Sequence, residues 1–469
     1  MCTLRAAFGL VGLCVVVASL AGPARGQSHH VPVYNQGSFA PLFTSGNPLW
    51  GHNAPKMVAK GDVNYCVQLA TERLNGGAYA GSLRLLAIDT SLPGGPGQVT
   101  LGAYIGGFDD GQGVYQPPAL IMDKNDYLHI FYVHQYESDR GIRHLMSTNP
   151  VTQGVPMTFE EQAVIGRNPG IRGYLGVGYH ESSNSAILAY SADVHPNPQS
   201  QFMSRADLPA HSSGATSWSP PVLTRVGSQT NRILYSTVVP TGSNSAFVCS
   251  LHTCLGVPAT DYCAVLFRHI SSIEGAFAAG NEVTIATAGL NQSIYNSDVY
   301  YLEQADKLYV LLSKNFADGA QPANTFYLTS SSNPRAATPT FSVEVPIRAP
   351  GDLAAYQFSG RLGLTSSGLW YVAGIEAGAS AKIAFYSTLT PDVGSSWIKY
   401  PSSFLALPTD YPVLNEGGTP RDAFYLYARK PWYGGDTFTN VIDLWYSGYK
   451  VFYNPQIDAA AIATRYFRL

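Results

Sequence analysis

YQPPALIMDKNDYLHIFYVHQ, residues 115–135, decides the fold. PALIM reads as a strand, Asp123 to Asp126 as a polar turn, and YLHIFYV as a second strand running into His134. A third strand, IRHLMST, follows and leads into a Pro-containing loop. Three antiparallel strands joined by tight turns make most of one small sheet, and the same arrangement recurs along the chain.

Candidate first strands begin near His52 (HNAPKMVA), Gln116 (QPPALIM), Arg172 (RGYLGVGY), Arg232 (RILYSTVV), Asp298 (DVYYLEQ), Arg361 (RLGLTS) and Asp422 (DAFYLYA). Successive starts are 64, 56, 60, 66, 63 and 61 residues apart. Second strands follow as YLHIFYV, SAILAYS, NSAFVCS, KLYVLLS, GLWYVAG and IDLWYSG. A self-similar period of this length, filled by short strands, predicts an all-β chain: a seven-bladed β-propeller with about four antiparallel strands per blade. VPVYN, residues 31–35, is expected to pair with the last blade and close the ring, which removes exposed sheet edges.

Composition agrees. The chain has 469 residues, 45% hydrophobic and only 13% charged, enough for a large core. Its 46 Gly, 31 Pro and 30 Tyr indicate many turns and aromatic strands rather than helices. A formal charge of -3 implies no basic face, so nucleic acid is excluded as a partner.

The first residues read as a secretory signal. Arg5 precedes an apolar run from Phe8 to Leu20, and small residues follow. Cleavage is expected after Ala21, Ala24 or Gly26, giving a signal over 1–26 and a single β-propeller domain over 27–469. No later segment is apolar enough to span a bilayer, so a secreted protein is expected. Cys66, Cys249, Cys254 and Cys263 stay with the mature chain, an even count that suits disulfide formation. Three of them lie in CSLHTCLGVPATDYC with His252, so a metal site there is the alternative. Asn291-Gln-Ser293 is an N-glycosylation sequon, which matters only in a eukaryotic host.

Innermost strands line a propeller's channel, so polar residues near their starts are candidates to converge. These are His52, Asn53, Gln116, Arg172, Tyr174, Arg232, Tyr235, Asp298 and Arg361. Many cations and few acids suit an anionic sugar, because Arg clamps a carboxylate through paired hydrogen bonds. His134 closes a strand, where loops build sites. His180 also follows a strand. His129 lies inside one and reads as a packed histidine bonded across the sheet.

PALIMDKNDYLHIFYVHQ followed by RHLMSTNP resembles the BNR-4 type of propeller, which includes ulvan-lyase-like polysaccharide lyases; fungal rhamnosyl-glucuronate lyases are similar. The close match covers about forty residues. A second pattern, Thr390-Pro-Asp392-Val-Gly394-Ser-Ser396-Trp397, matches the Asp-box of sialidase-type blades. There Asp392 is expected to accept turn amides and Trp397 to plug the gap between strands. The lyase resemblance implies β-elimination beside a uronate. His134 matches the histidine after the second strand, and Tyr174 the tyrosine of the next blade. Together with Arg232 and His52 they form the candidate catalytic set. Asn53, Gln116, Arg172, His180, Tyr235, Asp298 and Arg361 are the candidate substrate-binding set. The family often has a histidine where Gln116 stands and an arginine where Ser191 stands; Arg172 or Arg232 can take the arginine's place.

The implied partner is an anionic polysaccharide or oligosaccharide, met by a monomer. No cofactor is required, and a structural Ca2+ among loop carbonyls and Asp side chains is compatible with the sequence. Two other classes remain open. One is a propeller glycoside hydrolase of sialidase or furanosidase type, with carboxylates from Asp109, Asp110, Asp298 or Glu416. The other is a glycan-binding propeller without catalysis.

Overall fold

The computed structural model describes residues 28–34, 54–61, 63–73, 79–89, 98–108, 118–134, 141–156, 158–166, 170–228, 231–253, 263–288, 292–316, 325–347, 356–364, 368–377, 382–400, 408–414, 424–429 and 443–449. Among them there is no α-helix, only strands and three single-turn 3-10 segments. Among the described residues no helix is long and apolar enough to cross a membrane.

The strands form seven antiparallel sheets. Sheet I is Met57–Lys60, Val63–Arg73, Tyr79–Asp89 and Gln98–Phe108. Sheet II is Ala119–Met122, Leu128–His134, Gly141–Ser147 and Phe159–Ile165. Sheet III is Ile171–His180, Ser185–Val194, Asn197–Asp207 and Val222–Arg225. Sheet IV is Ile233–Gly242, Ser245–His252 and Ala264–Ser272, whose last strand pairs with both Ala278–Ala279 and Val283–Thr287. Sheet V is Gln292–Leu302, Lys307–Phe316, Thr325–Ser331 and Val345–Ile347. Sheet VI is Tyr356–Leu364, Trp370–Ala377, Lys382–Thr388 and Ile398–Tyr400. Sheet VII is Pro408–Leu414, Phe424–Arg429, Asp443–Tyr449 and the N-terminal Ser28–Tyr34.

Ser28–Tyr34 pairs antiparallel with Asp443–Tyr449, with His30 opposite Ser447 and Val31 opposite Tyr446. The first and last described strands thus share one sheet, as VPVYN led us to expect. In the last unit the strand order differs from expectation. DAFYLYA contributes the second strand and IDLWYSG the third, while Pro408–Leu414 is first. An apolar run of six or seven residues looks the same in either place; only its pairing partners tell them apart. Two further first strands start earlier than expected. Asp298 lies inside Gln292–Leu302 and Arg361 inside Tyr356–Leu364, because polar residues precede both and hide the strand start.

Side-chain alternation explains why HIFYV is so apolar. Leu128, Ile130 and Tyr132 pack with Val67, Leu83 and Leu85 of sheet I. Phe131 and Val133 point the other way and pack with Leu175, Leu188 and Tyr190 of sheet III. With period two and both faces covered, every position is buried. The pattern repeats around the chain: III packs on IV, IV on V, and V on VI. Each fully buried large side chain, such as Phe131, Phe247 or Phe326, contributes on the order of 2 kcal/mol of transfer free energy.

The Asp392 turn sits between the third and fourth strands of sheet VI. Trp397 is buried and its Nε1 donates to the Pro391 carbonyl at 3.3 Å. Asp392 itself points to sheet V. It accepts from Lys307 Nζ at 2.7 Å and from Ser330 Oγ at 3.0 Å. Thr388 Oγ1, not the carboxylate, accepts the turn amide of Thr390 at 3.0 Å. The motif therefore ties two sheets together at their rims.

Candidate functional site

Innermost strands of sheets III to VI share one irregularity. Each carries one more residue than its partner between neighbouring pairs: Gly173 to Gly176, Leu234 to Thr237, Asn296 to Asp298, and Phe358 to Arg361. An extra residue bends a strand and re-aims the side chains beside it. In sheets III and IV the bulge holds a tyrosine in the left-handed region. Tyr174 has φ +54° and Tyr235 φ +45°. A bulky non-glycine residue there costs on the order of 1–3 kcal/mol, and such strain concentrates at functional sites. The two rings meet edge to face, with centroids 4.7 Å apart and planes at 66°. Two strained tyrosines at matching places on adjacent strands thus form one cluster. Tyr235 is buried and Tyr174 packs at the margin of the same apolar cluster.

Arg232 precedes Tyr235 by three residues. Its backbone is clamped to the next strand: its amide donates to Thr253 Oγ1 at 3.1 Å, and its carbonyl accepts from the Thr253 amide at 3.0 Å. Its guanidinium Nε is buried and has no hydrogen-bond partner among the described residues, as is also true of Arg205 Nε and Arg268 Nε. A buried charged donor in that state calls for an acceptor. Arg172 occupies the second position of Ile171–His180. His134 ends Leu128–His134, opposite Gly141, and is half-buried.

Other sequence candidates fall elsewhere. His180 closes the same strand as Tyr174 but at its far end, roughly 20 Å away by strand rise. There its Nδ1 bonds Ser183 Oγ at 2.6 Å in the hairpin. Asp298 and Arg361 are both buried and face each other, Oδ1 to Nη1 at 4.0 Å. Asp298 also accepts from the amides of Leu362 and Val299, at 2.9 and 2.8 Å. Burial pushes its carboxyl up, while Arg361 and the two amides pull it back. The pair bridges sheets V and VI. His52, Asn53, Gln116, Asp109, Asp110, Glu416, Cys254 and Asn291 lie outside the described residues.

His129 belongs to a different construction. It is fully buried, with Nδ1 2.9 Å from His144 Nε2. Trp218 Nε1 donates to His144 Nδ1 at 3.3 Å. That makes Nδ1 an acceptor, so a neutral His144 carries its proton on Nε2 and donates to His129 Nδ1. His129 then presents Nε2–H to Asp123 Oδ2, 3.5 Å away. The other Asp123 oxygen accepts from the amides of Asn125 and Tyr127, each at 2.9 Å. Burial holds His144 well below the usual histidine range, and His129 beside it adds to the effect.

Of three further residues, Gln201 gave no signal in the sequence, and Ser191 and His252 take roles other than those the sequence suggested. Ser191, where a related arginine was expected, is buried and donates to the Ile233 carbonyl at 2.7 Å. Gln201, also buried, donates to Ser236 Oγ and Ser250 Oγ at 2.6 and 2.7 Å. His252 ends the second strand of sheet IV, as His134 ends that of sheet II. Burial lowers its pKa, and Glu282 partly opposes this. The neighbouring Cys249 is a free, buried thiol pushed up to about 12 by burial, with Arg225 opposing the shift, which makes it a poor metal ligand. Among the described residues no group of His, Cys, Asp and Glu could hold a metal ion.

No protein-family model matches the chain, and no curated protein does. Solved structures do. A polysaccharide lyase of family PL25, an ulvan lyase, superposes with TM-score 0.61 at 12% identity, covering 88% of this chain and 95% of its own. The same kind of enzyme bound to -[GlcA(1-4)Rha3S]- gives 0.59 at 12% identity over 88% and 95%. The polysaccharide lyase Uly1 gives 0.54 at 10% identity over 90% and 99%. The resemblance seen in residues 115–150 and the likeness of the whole fold therefore agree: the chain is similar in fold to the ulvan-lyase structures.

Proposed function

We propose that the chain is a seven-bladed β-propeller over 27–469, exported after loss of residues 1–26. As a monomer it cleaves a uronate-containing polysaccharide by β-elimination. The observation that carries this reading is the pair of strained tyrosines in contact across the seam of sheets III and IV, with Arg232 three residues before Tyr235 in the sequence.

Elimination needs three things. The C5 proton of a uronate is weakly acidic, and a cation paired with its carboxylate stabilises the enolate-like charge that develops. Arg232 supplies this cation, with Arg172 and His52 as further candidates. A base must take the C5 proton; His134 and Tyr174 are the candidates. An acid must protonate the glycosidic oxygen as the C4–O bond breaks and the C4–C5 double bond forms. A tyrosine serves, because its phenol can give the proton that the reaction needs at the leaving group. Hydrolysis would instead need two free carboxylates flanking the bond. Among the described carboxylates proposed for that role, Asp298 is engaged by Arg361 and two amides.

The test is a panel of uronate-containing polysaccharides assayed for ultraviolet-absorbing unsaturated products. Absorbance growing with time is expected. New reducing ends without absorbance would replace the lyase with a hydrolase, and binding without either would leave a glycan-binding propeller.

A further inference from the structure

The left-handed backbone at Tyr235 is strained, so something must hold it there. Its supports come from the adjacent sheet. Two residues before Tyr235, the Ile233 carbonyl accepts from Ser191 Oγ at 2.7 Å. One residue after it, Ser236 Oγ accepts from Gln201 Nε2 at 2.6 Å. Gln201 is itself fixed: its other amide proton goes to Ser250 Oγ at 2.7 Å, and its Oε1 accepts from Thr224 Oγ1 at 2.8 Å. All of these groups except the Ile233 carbonyl belong to side chains that are buried. The two inner strands also touch directly. A Cβ placed on Gly176 would sit 1.8 Å from the Ser236 carbonyl oxygen. The bulge at Tyr235 is thus gripped on both sides by sheet III, the sheet that carries Tyr174.

We propose that Ser191 and Gln201 are positioning residues that hold Tyr235 in its left-handed bulge and so keep its ring against Tyr174. The inference rests on the reading that these tyrosines line the substrate site. It also gives a role to Ser191, the position where related chains were expected to carry arginine: its hydroxyl serves the neighbouring sheet's backbone.

A double-mutant cycle on kcat/KM tests it. Ser191→Ala and Gln201→Met should each lower kcat/KM about tenfold, the scale of a small misplacement of a site group. In a Tyr235→Phe background each loss should shrink to less than about twofold, because the group being positioned has gone. Ser191→Thr, which keeps the hydroxyl, should restore most of the activity. Equal losses in both backgrounds, or no loss in either, would overturn the proposal. If Gln201→Met does not fold, Ser236→Ala removes the same hydrogen bond and leaves the other two bonds of Gln201 intact. If the wild type makes saturated products or only binds, the lyase reading fails, and the cycle is run on that turnover or on the dissociation constant. Amide hydrogen exchange decides the point without substrate. Ser191→Ala should speed exchange around Tyr235 at least tenfold and leave sheet II unchanged; uniform or absent acceleration would overturn the proposal.

Discussion

Sheet II and the seam between sheets III and IV both bury aromatic and titratable side chains, yet they do so in opposite ways. In sheet II the donors and acceptors run in one direction, from Trp218 through His144 and His129 towards Asp123. The two histidine rings sit on ordinary strands and bond each other, and His129 Nε2 faces the Asp123 carboxylate at 3.5 Å. At the seam the backbone itself is strained, at Tyr174 and Tyr235, and the Arg232 Nε finds no acceptor among the described residues. Buried polar groups that face one another on relaxed strands stabilise a fold. Strained backbone concentrates at functional sites. The abundance of histidine in sheet II is therefore a weaker functional sign than the conformation of two tyrosines.

The contrast can be broken most sharply through turnover. His134→Ala and Tyr174→Phe should each cut kcat on the order of a hundredfold or more, the usual scale for losing a general acid or base. Melting temperatures should barely move. Near-normal kcat in both variants would move the site away from this seam. The opposite behaviour is expected in sheet II. His144→Ala should lower unfolding free energy by about 2–4 kcal/mol, since it removes a packed ring and orphans buried donors. The kcat of its folded fraction should stay within about twofold, as read by denaturant titration beside steady-state kinetics.

A third test uses acid. His144 is held below its unfolded pKa of 6.5, so below that pH the unfolded chain binds a proton that the folded chain refuses. Stability should thus be complete above pH 6.5 and decline as pH falls beneath it, at up to about 1.4 kcal/mol per pH unit for this one group. In His144→Gln that part of the slope should vanish; an unchanged slope would locate the titrating group elsewhere. The smallest effect concerns the cysteines. Cys66 and Cys249 are thiols, Cys263 is disulfide-bonded, and we expect Cys254 to be its partner. Thiol counting on denatured, unreduced chain should find the two free thiols and no more beyond the leader. Reduction should cost only a few degrees of melting temperature, because the bridge closes a short loop.

What the sequence determined by itself was whatever depends on local periodicity. Apolar runs with turn residues at a steady period of about sixty marked most of the strands and their grouping in fours, because strands buried on both faces must be apolar at every position. The phrase around His134 was legible for the same reason, with the resemblance it carries. His129 and His134 could be told apart from place alone, one within a strand and the other at its end. Pairing and register were decided only by the tertiary structure. DAFYLYA reads equally well as a first or a second strand until its neighbours are known. Asp298 and Arg361 look like channel residues in the sequence, but burial brings them to each other. Asp392 was expected to bond its own turn and instead reaches Lys307 and Ser330 of another sheet. The left-handed tyrosines left no trace in composition or spacing. A bulge arises from the mismatch between two paired strands, and Ser191 and Gln201 grip it from a neighbouring sheet, so the conformation that marks the site belongs to the assembled strands and to no single segment.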